Sequence, residues 1–251
     1  QSGEFTTLEL MAVCGARAIR NHEVVFIGTG LPMIAAMLAK KTHAPEAKIV
    51  YEAGFIDSNA VDIALSIADS RLGYRASGAI GLIETLGLML QGGHVDVGFV
   101  GAAQIDERGN INTTWIGSFE NPTVRLPGSG GGNDIVSSAK RIVILMTHER
   151  RKLVKKLDYM TSPGFLGGPN AREEAGLRGG GPSLVVTNLC QLDFDPETKR
   201  LRLATVHPGI SVQQVVENTG CDLIVPKKVP TTDLPTYEEL RLLRQIDPNG
   251  I

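Results

Sequence analysis

The chain contains few cysteines and few aromatic residues. Only Cys14, Cys190 and Cys221 are cysteines among 251 residues, and aromatic residues make up 5%. Three widely spaced cysteines without a Cys-x-x-Cys pair argue against a disulfide framework or a zinc site, and they favour a reducing, cytoplasmic environment. The five histidines are scattered without the spacing of metal ligands, so no metal site is expected.

Long apolar runs and an excess of one charge are also missing. The longest apolar stretch, residues 95–103, falls far short of the roughly 20 residues that a membrane helix needs. With 25 basic and 27 acidic residues, the formal net charge is −2. We therefore expect binding neither to a membrane nor to nucleic acid. Residues 1–5 lack the pattern of a signal peptide, and we interpret them as the remnant of an expression tag.

The chain does contain apolar runs that alternate with helical patterns. Runs at residues 24–27, 48–53, 95–103 and 141–146 predict buried strands, and apolar periodicity predicts helices at 8–19, 33–40, 82–91 and 134–139. Residues 60–79 predict a mixture of helix and loop, and residues 105–114 a polar connection. This alternation indicates an α/β fold with an open, mostly parallel sheet and helices on both faces.

The second part of the chain differs in character. A stretch rich in glycine and proline leads to shorter strands predicted at 183–187, 191–194 and 200–206, followed by helices at 212–217 and 237–245. We expect one domain over residues 6–251, in which a core (6–147) carries a smaller β-rich C-terminal extension (148–251). The basic run at 150–156 is interpreted as a solvated helix face, and contact with ligand phosphates is the alternative.

Glu52 is the first candidate for chemistry. It lies near the C-terminal end of a predicted buried strand and is followed by Ala53 and Gly54. Ligands of open parallel sheets bind beyond the carboxyl ends of the strands, so a carboxylate there, beside small residues, has room for a reacting group. Pairing with an arginine such as Arg71 or Arg75 is the structural alternative.

Small residues also cluster in three other segments. Gly101-Ala102-Ala103 ends a strand, where free backbone N–H groups could face an oxyanion, although close packing of a helix explains small residues equally well. Gly28-Thr29-Gly30-Leu31-Pro32 and Gly128-Ser129-Gly130-Gly131-Gly132-Asn133 each precede a predicted helix, where anions bind. Neither loop matches the Walker or dinucleotide pattern, and each is equally compatible with a tight turn.

Taken in order, these segments resemble the β subunit of the class I CoA-transferases, and within them the glutaconate CoA-transferases. The resemblance extends from about residue 8 to residue 251 and depends on the order and spacing of several segments. These are Gly28-Thr29-Gly30-Leu31-Pro32, Glu52-Ala53-Gly54, Gly101-Ala102-Ala103-Gln104-Ile105-Asp106 with Gly109-Asn110, Gly128-Ser129-Gly130-Gly131, and Asp158-Tyr159-Met160-Thr161-Ser162-Pro163-Gly164.

The resemblance implies a function and a set of site residues. It implies that Glu52 is the nucleophile, which forms a covalent glutamyl-CoA intermediate, and that amides of Gly101 and Ala102 stabilise the oxyanion. Coenzyme A is then a substrate and acyl carrier, and no metal is needed. The implied substrate-binding and CoA-binding residues are Gly28, Thr29, Gly30, Leu31, Ala53, Gly54, Ala103, Gln104, Gly128, Ser129, Gly130 and Gly131.

The resemblance also implies a partner, and two departures from the family pattern leave alternatives open. The family's α subunit supplies much of the CoA-binding surface, so we expect a hetero-oligomer built from αβ units that acts on acyl-CoA and a small, glutaconate-like dicarboxylate. Ala102 stands where a second glycine is usual, and Ala53 replaces a polar neighbour of the glutamate. These departures favour two alternatives, a decarboxylase of a glutaconyl-type thioester or an acyl-CoA hydrolase, whereas Glu52 favours transfer. A non-catalytic subunit that completes a partner's site is the third alternative.

Overall fold

The computed structural model describes residues 4–58, 63–64, 66–67 and 69–250. Its helices are α1 (Thr7–Arg17), α2 (Leu31–Lys41), α3 (Gly132–Ser138), α4 (Ala171–Glu174), α5 (Val212–Glu217) and α6 (Tyr237–Ile246), with a 3-10 turn at Ser70–Gly73 and a π-helix at Glu84–Gln91. Its strands are β1 (Val24–Ile27), β2 (Lys48–Tyr51), β3 (Phe55–Ile56), β4 (Gly78–Ala79), β5 (Val97–Gly101), β6 (Gln104–Ile105), β7 (Ile111–Asn112), β8 (Trp115–Gly117), β9 (Pro122–Arg125), β10 (Arg141–Leu145), β11 (Pro182–Val186), β12 (Cys190–Phe194) and β13 (Leu201–Val206).

Nine of the described strands form one sheet in the order β13-β12-β11-β10-β5-β1-β2-β3-β4. The central strands β11, β10, β5, β1 and β2 run parallel, and antiparallel strands flank them on both sides. The predicted α/β fold with a mostly parallel sheet is therefore confirmed. The predicted C-terminal strands extend this same sheet.

Both faces of the parallel strands are buried. Val25 and Ile27 contribute to a core that also contains residues of α1, α2 and α6, whereas Phe26 belongs to a second core that contains residues of α3 and the π-helix. Successive side chains of a strand point to opposite faces, so one strand supplies both cores. This burial explains why the parallel strands appear in the sequence as continuous apolar runs.

Most predicted elements are present with shifted ends. The strand predicted at 48–53 ends at Tyr51, so that Glu52 and Ala53 lie in the turn that follows it. The strand predicted at 95–103 is limited to Val97–Gly101. Helix α2 begins two residues earlier than predicted, because Pro32 is accommodated in its first turn.

One expectation for a connecting segment is wrong, and another connecting segment contains strand residues that were not expected. Residues 150–156 do not form a helix, because the backbone of this segment pairs with β6: Ile105 donates to the carbonyl of Lys152 (2.8 Å) and Val154 donates to the carbonyl of Ile105 (2.9 Å). The connection predicted at 105–114 does contain a turn, in which the N–H of Gly109 donates to the carbonyl of Asp106 (3.0 Å), and this turn joins the antiparallel strands β6 and β7. Parts of the segment predicted at 60–79 as a mixture of helix and loop lie outside the described residues. Among the described helices, none is long and apolar enough to cross a membrane.

The turn after β2 requires a residue without a side chain. Gly54 adopts a φ of 94°, and its N–H donates to the carbonyl of Tyr51 (2.8 Å). Its own carbonyl accepts from the N–H of Ile80 (3.0 Å), which brings that segment directly over the turn. A Cβ at position 54 would lie 1.8 Å from the carbonyl oxygen of Ile80. The conformation and the crossing segment both exclude other residues.

Replacing this glycine is expected to destabilise the fold. Gly54→Ala should lower the free energy of unfolding by more than about 2 kcal/mol, because the new methyl group collides with backbone and the backbone angle is strained. Gly168→Ala is a matched control, since an added Cβ there meets no heavy atom within 4 Å. Urea unfolding should place the control within about 1 kcal/mol of wild type. Equal stability of the two variants would contradict this account of the turn.

His148 is buried beneath the C-terminal strands without a carboxylate partner. It is 3% exposed, and its ring nitrogens lie 3.2 Å from Thr187 Oγ1 and 3.0 Å from Thr219 Oγ1. Burial lowers the pKa of His148 to about 4. The neutral ring is therefore the folded form, whereas the unfolded chain binds a proton near the ordinary histidine pKa.

This histidine predicts a pH-dependent loss of stability. Its pKa is lower in the folded than in the unfolded chain, so its contribution is fully present above about pH 6.5 and falls progressively toward pH 4. Between pH 7.5 and pH 5, wild type should lose about 2 kcal/mol more unfolding free energy than His148→Gln. Urea titrations at both pH values measure the difference. Parallel losses in the two proteins would show that His148 does not carry the effect.

Candidate active site

The carboxyl ends of four parallel strands meet at one edge of the sheet. Ile27 at the end of β1 pairs with Tyr51 at the end of β2, and Gly101 at the end of β5 pairs with Leu145 at the end of β10. Strands β2 and β5 flank β1 on opposite sides, so the chain reverses its winding direction between β1 and β5. Ligands of open α/β sheets bind at such a switch point. The predicted residues after β1, β2 and β5 therefore lie at this edge.

Glu52 occupies the turn that follows β2. The neighbouring Tyr51 is fully buried in the core, whereas Glu52 is half-buried. Within the described residues, no hydrogen bond or ion pair involves the Glu52 side chain. The alternative of a structural pair with arginine finds no support there, because Arg71 pairs with Asp69 at 2.6 Å and Arg75 lies against the ring of Tyr74.

The second glycine-rich loop lies against this carboxylate. A Cβ placed on Gly131 would be 3.0 Å from Glu52 Cδ and 3.1 and 3.2 Å from its two oxygens. Gly128 fixes the loop, because its N–H donates to the carbonyl of Thr113 (2.9 Å) while the Thr113 hydroxyl donates to the carbonyl of Gly128 (2.8 Å). Asn133 adds a bond from its side-chain amide to the carbonyl of Thr161 (2.8 Å). Residues about 80 positions apart in sequence thus form one site.

A cleft of about 390 Å³ opens between the end of β5 and the glycine-rich loop. The segments around Ala102 and Gly128, predicted separately from the sequence, face each other across it. No lysine, arginine, aspartate or glutamate is among its described lining residues. These are Val100, Gly101, Ala102, Ala103, Ile111, Thr113, Leu126, Pro127, Gly128, Ser129, Gly132, Val136 and Ser162.

Two of the predicted binding positions have internal partners. The Gln104 side chain is 5% exposed, accepts from Asn112 Nδ2 (2.8 Å) and donates to Asp158 Oδ2 (2.9 Å). The amide of Ala103 donates to the carbonyl of Asn112 (3.1 Å), so this N–H is not available to an oxyanion. Gln104 is therefore placed to hold the 158–164 segment, and Ala103 contributes its side chain to the cleft wall.

The first glycine-rich loop, Gly28-Thr29-Gly30-Leu31, lies at the same sheet edge but is not among the described lining residues of the cleft. Gly30 precedes α2 with a φ of 74°, and its carbonyl accepts from Met33 (3.0 Å) and Ile34 (3.2 Å). Its local role is thus to start the helix. Ala53 is exposed beside Glu52.

Sequence reasoning missed the threonines that support the site. Thr161 Oγ1 accepts from the N–H of Thr113 (2.9 Å) and lies 2.7 Å from Thr114 Oγ1. These residues were present in or beside the motifs that carried the resemblance, at Asn112-Thr113-Thr114 and Thr161-Ser162. Short polar runs inside otherwise apolar or glycine-rich segments were the available signal.

Within the described residues, no group of three or more His, Cys, Asp or Glu could hold a metal ion.

Comparison with known proteins adds independent information. Residues 8–218 match the family described as Coenzyme A transferase. The chain is 40% identical over 243 residues to one subunit of the 3-oxoadipate CoA-transferase of Pseudomonas knackmussii, covering 97% of this chain and 94% of that subunit. It is 41% identical over 250 residues to one subunit of the glutaconate CoA-transferase of Acidaminococcus fermentans, covering 97% of this chain and 93% of that subunit.

Solved structures show the same relationship. The glutaconate CoA-transferase of Acidaminococcus fermentans matches with a TM-score of 0.92 and 38% identity, over 99% of this chain and 97% of that chain. The decarboxylase AibA/AibB matches with a TM-score of 0.84 and 26% identity, over 98% and 97%. From the family match and the similarity over nearly its whole length, this chain belongs to the coenzyme A transferase family.

Proposed function

We propose that this chain is the β subunit of an acyl-CoA:carboxylate CoA-transferase in which Glu52 forms a covalent glutamyl-CoA intermediate. The observation that carries the proposal is the carboxylate of Glu52. It lies at the ligand-binding edge of the sheet, has no described hydrogen-bond or ion-pair partner, and sits against the loop that borders the cleft. A carboxylate in this state is suited to attack a thioester.

The proposed reaction has two exchanges at the Glu52 carboxylate. A carboxylate oxygen attacks the thioester carbonyl, the C–S bond breaks, and CoA leaves as the thiolate, which gives an acyl-glutamyl anhydride. The thiolate then attacks the glutamyl carbonyl and releases the acyl group as a free carboxylate, which leaves glutamyl-CoA. An acceptor carboxylate reverses both steps, so the kinetics are ping-pong.

Each attack creates an oxyanion that needs hydrogen-bond donors. Gly101 and Ala102 lie at the end of β5 and line the cleft, and we assign their backbone amides this role. Loss of one such donor typically raises the barrier by about 3–4 kcal/mol. Ala103 is excluded from the role, because its N–H already donates to Asn112. The methyl group of Ala102 narrows the same part of the cleft.

The described lining of the cleft contains no cation, although acyl-CoA and a dicarboxylate are anionic. The missing positive charge is consistent with a site completed by another chain. Two relatives at about 40% identity are themselves named as subunits of their enzymes. We therefore assign this chain to a hetero-oligomer in which the α subunit supplies the groups that bind the phosphates and the distal carboxylate.

The substrate class follows from the same two relatives. Glutaconate and 3-oxoadipate are both linear dicarboxylates, of five and six carbons, and this chain is equally similar to the two transferases. We propose a linear dicarboxylate of this size as the acyl group. Measuring kcat/KM for both acids as acceptors distinguishes them.

The nucleophile is tested by removing its charge. With the α subunit present and glutaconyl-CoA supplied without acceptor, wild type should gain the mass of bound CoA, and borohydride reduction should locate the modification at Glu52. Glu52→Gln keeps the size of the side chain but removes the nucleophilic oxyanion, so it should form no adduct and lose at least about 10³-fold in transfer rate. Glu46→Gln is a matched control, because Glu46 precedes β2 and so lies at the opposite end of this strand from Glu52. This variant should retain both adduct formation and the wild-type transfer rate.

Other outcomes correspond to other functions. Release of carbon dioxide without an adduct would indicate the decarboxylase alternative. The similarity to the decarboxylase AibA/AibB is the observation that favours this alternative. Release of free CoA that is independent of Glu52 would indicate a hydrolase. Full transfer activity in Glu52→Gln would overturn the assignment and leave this chain the role of completing its partner's site.

A further inference from the structure

The contact between Glu52 and Gly131 has a specific geometry. The Cβ that a side chain would place on Gly131 lies 3.0 Å from the carboxylate carbon and 3.1 and 3.2 Å from the oxygens. Neither oxygen is nearer than the carbon. An approach within the carboxylate plane, between the oxygens, would bring the oxygens closer than the carbon. The Cα hydrogen of Gly131 therefore faces the flat side of the carboxylate.

A contact on this flat side leaves the reactive positions open. Carboxylate lone pairs lie in the plane of the group, so a group packed on the face does not compete for them. A C–H group is a weak donor at most, whereas an N–H or O–H donor would stabilise the anion and oppose its attack on an electrophile. The contact thus limits the rotation of the carboxylate without lowering its reactivity as a nucleophile.

The backbone of Gly131 does not itself require glycine. Its φ and ψ are −76° and 0°, which other residues also adopt. Its position is fixed from both sides, because its carbonyl accepts from Ile135 (2.9 Å) and the preceding Gly128 is held by Thr113. The lack of a side chain is therefore explained by the neighbouring carboxylate, whose atoms are the three heavy atoms nearest to a Cβ at this position.

We propose that Gly131 is a positioning residue for the Glu52 nucleophile, where the sequence suggested a residue that binds CoA or substrate. This inference rests on the proposed role of Glu52. The glycine provides a flat, apolar platform that fixes the direction of the carboxylate while its in-plane oxygens attack the thioester. The platform acts before any acyl-CoA is bound.

The test is Gly131→Ala in the complex with the α subunit, with glutaconyl-CoA and no acceptor. The end of a glutamate side chain is flexible, so the carboxylate and not the fold gives way to the new methyl group. The rate of CoA-adduct formation at saturating glutaconyl-CoA, followed by quenched-flow mass spectrometry, should fall about 10- to 100-fold. The half-saturating concentration and the melting temperature should stay close to wild type.

Two further variants separate positioning from a structural effect. Gly167→Ala should keep the wild-type rate, since an added Cβ there meets no heavy atom within 4 Å. With Glu52→Asp added, the shorter side chain withdraws from the methyl group, so Gly131→Ala should change the slower adduct rate by less than about threefold. This dependence of the Gly131→Ala effect on the residue at position 52 is expected only if the methyl group at position 131 contacts the Glu52 side chain.

Four results would overturn the inference. A wild-type adduct rate in Gly131→Ala, or an equal fold-loss in the Glu52→Asp background, would show that the contact does not position the nucleophile. A loss that saturating glutaconyl-CoA restores would instead assign Gly131 to substrate binding. Absence of an adduct in wild type would mark failure of the proposed function itself, and the positioning role would fall with it.

Discussion

The parallel pairing of β2, β1, β5 and β10 is the constraint on which the rest of the structure depends. It places the ends of these strands at one edge, and both faces of the strands are already buried in the two cores. Side chains within the strands are committed to packing. Only residues just beyond the strand ends are free for chemistry, which is where Glu52 and Ala102 lie.

Small residues in this protein allow chain segments to approach one another. At Gly54 the backbone of a distant segment crosses the turn that carries Glu52, and at Gly131 a loop backbone reaches the carboxylate itself. Both contacts hold the glutamate without donating a hydrogen bond to its side chain. A nucleophilic carboxylate gains from this arrangement, because it is confined in space but remains free of hydrogen bonds that would stabilise its charge.

Under the proposed function, the cleft forms only part of the catalytic site. It offers backbone, small side chains and hydroxyl groups, with no described charge in its lining. Glu52 is not among the described lining residues and lies against Gly131, in the loop that borders the cleft. Under the proposed function, this composition follows from a site shared by two chains: this chain carries the covalent chemistry at Glu52, and the α subunit supplies the cations that bind CoA and a dicarboxylate. The same arrangement is consistent with the naming of both relatives as subunits of their enzymes.

The sequence alone determined the α/β class, the mostly parallel sheet, and Glu52 and the three small-residue segments as candidates, because burial and turn chemistry are local patterns. The sequence could not show that the Gln104 side chain is hydrogen-bonded to Asn112 and Asp158, that residues 150–156 pair with β6, or that Gly131 lies against Glu52. These facts depend on contacts between segments far apart in the chain. The periodicity of apolar residues indicates which face of a helix or strand is buried. Only the tertiary structure decides which distant residues that face contacts.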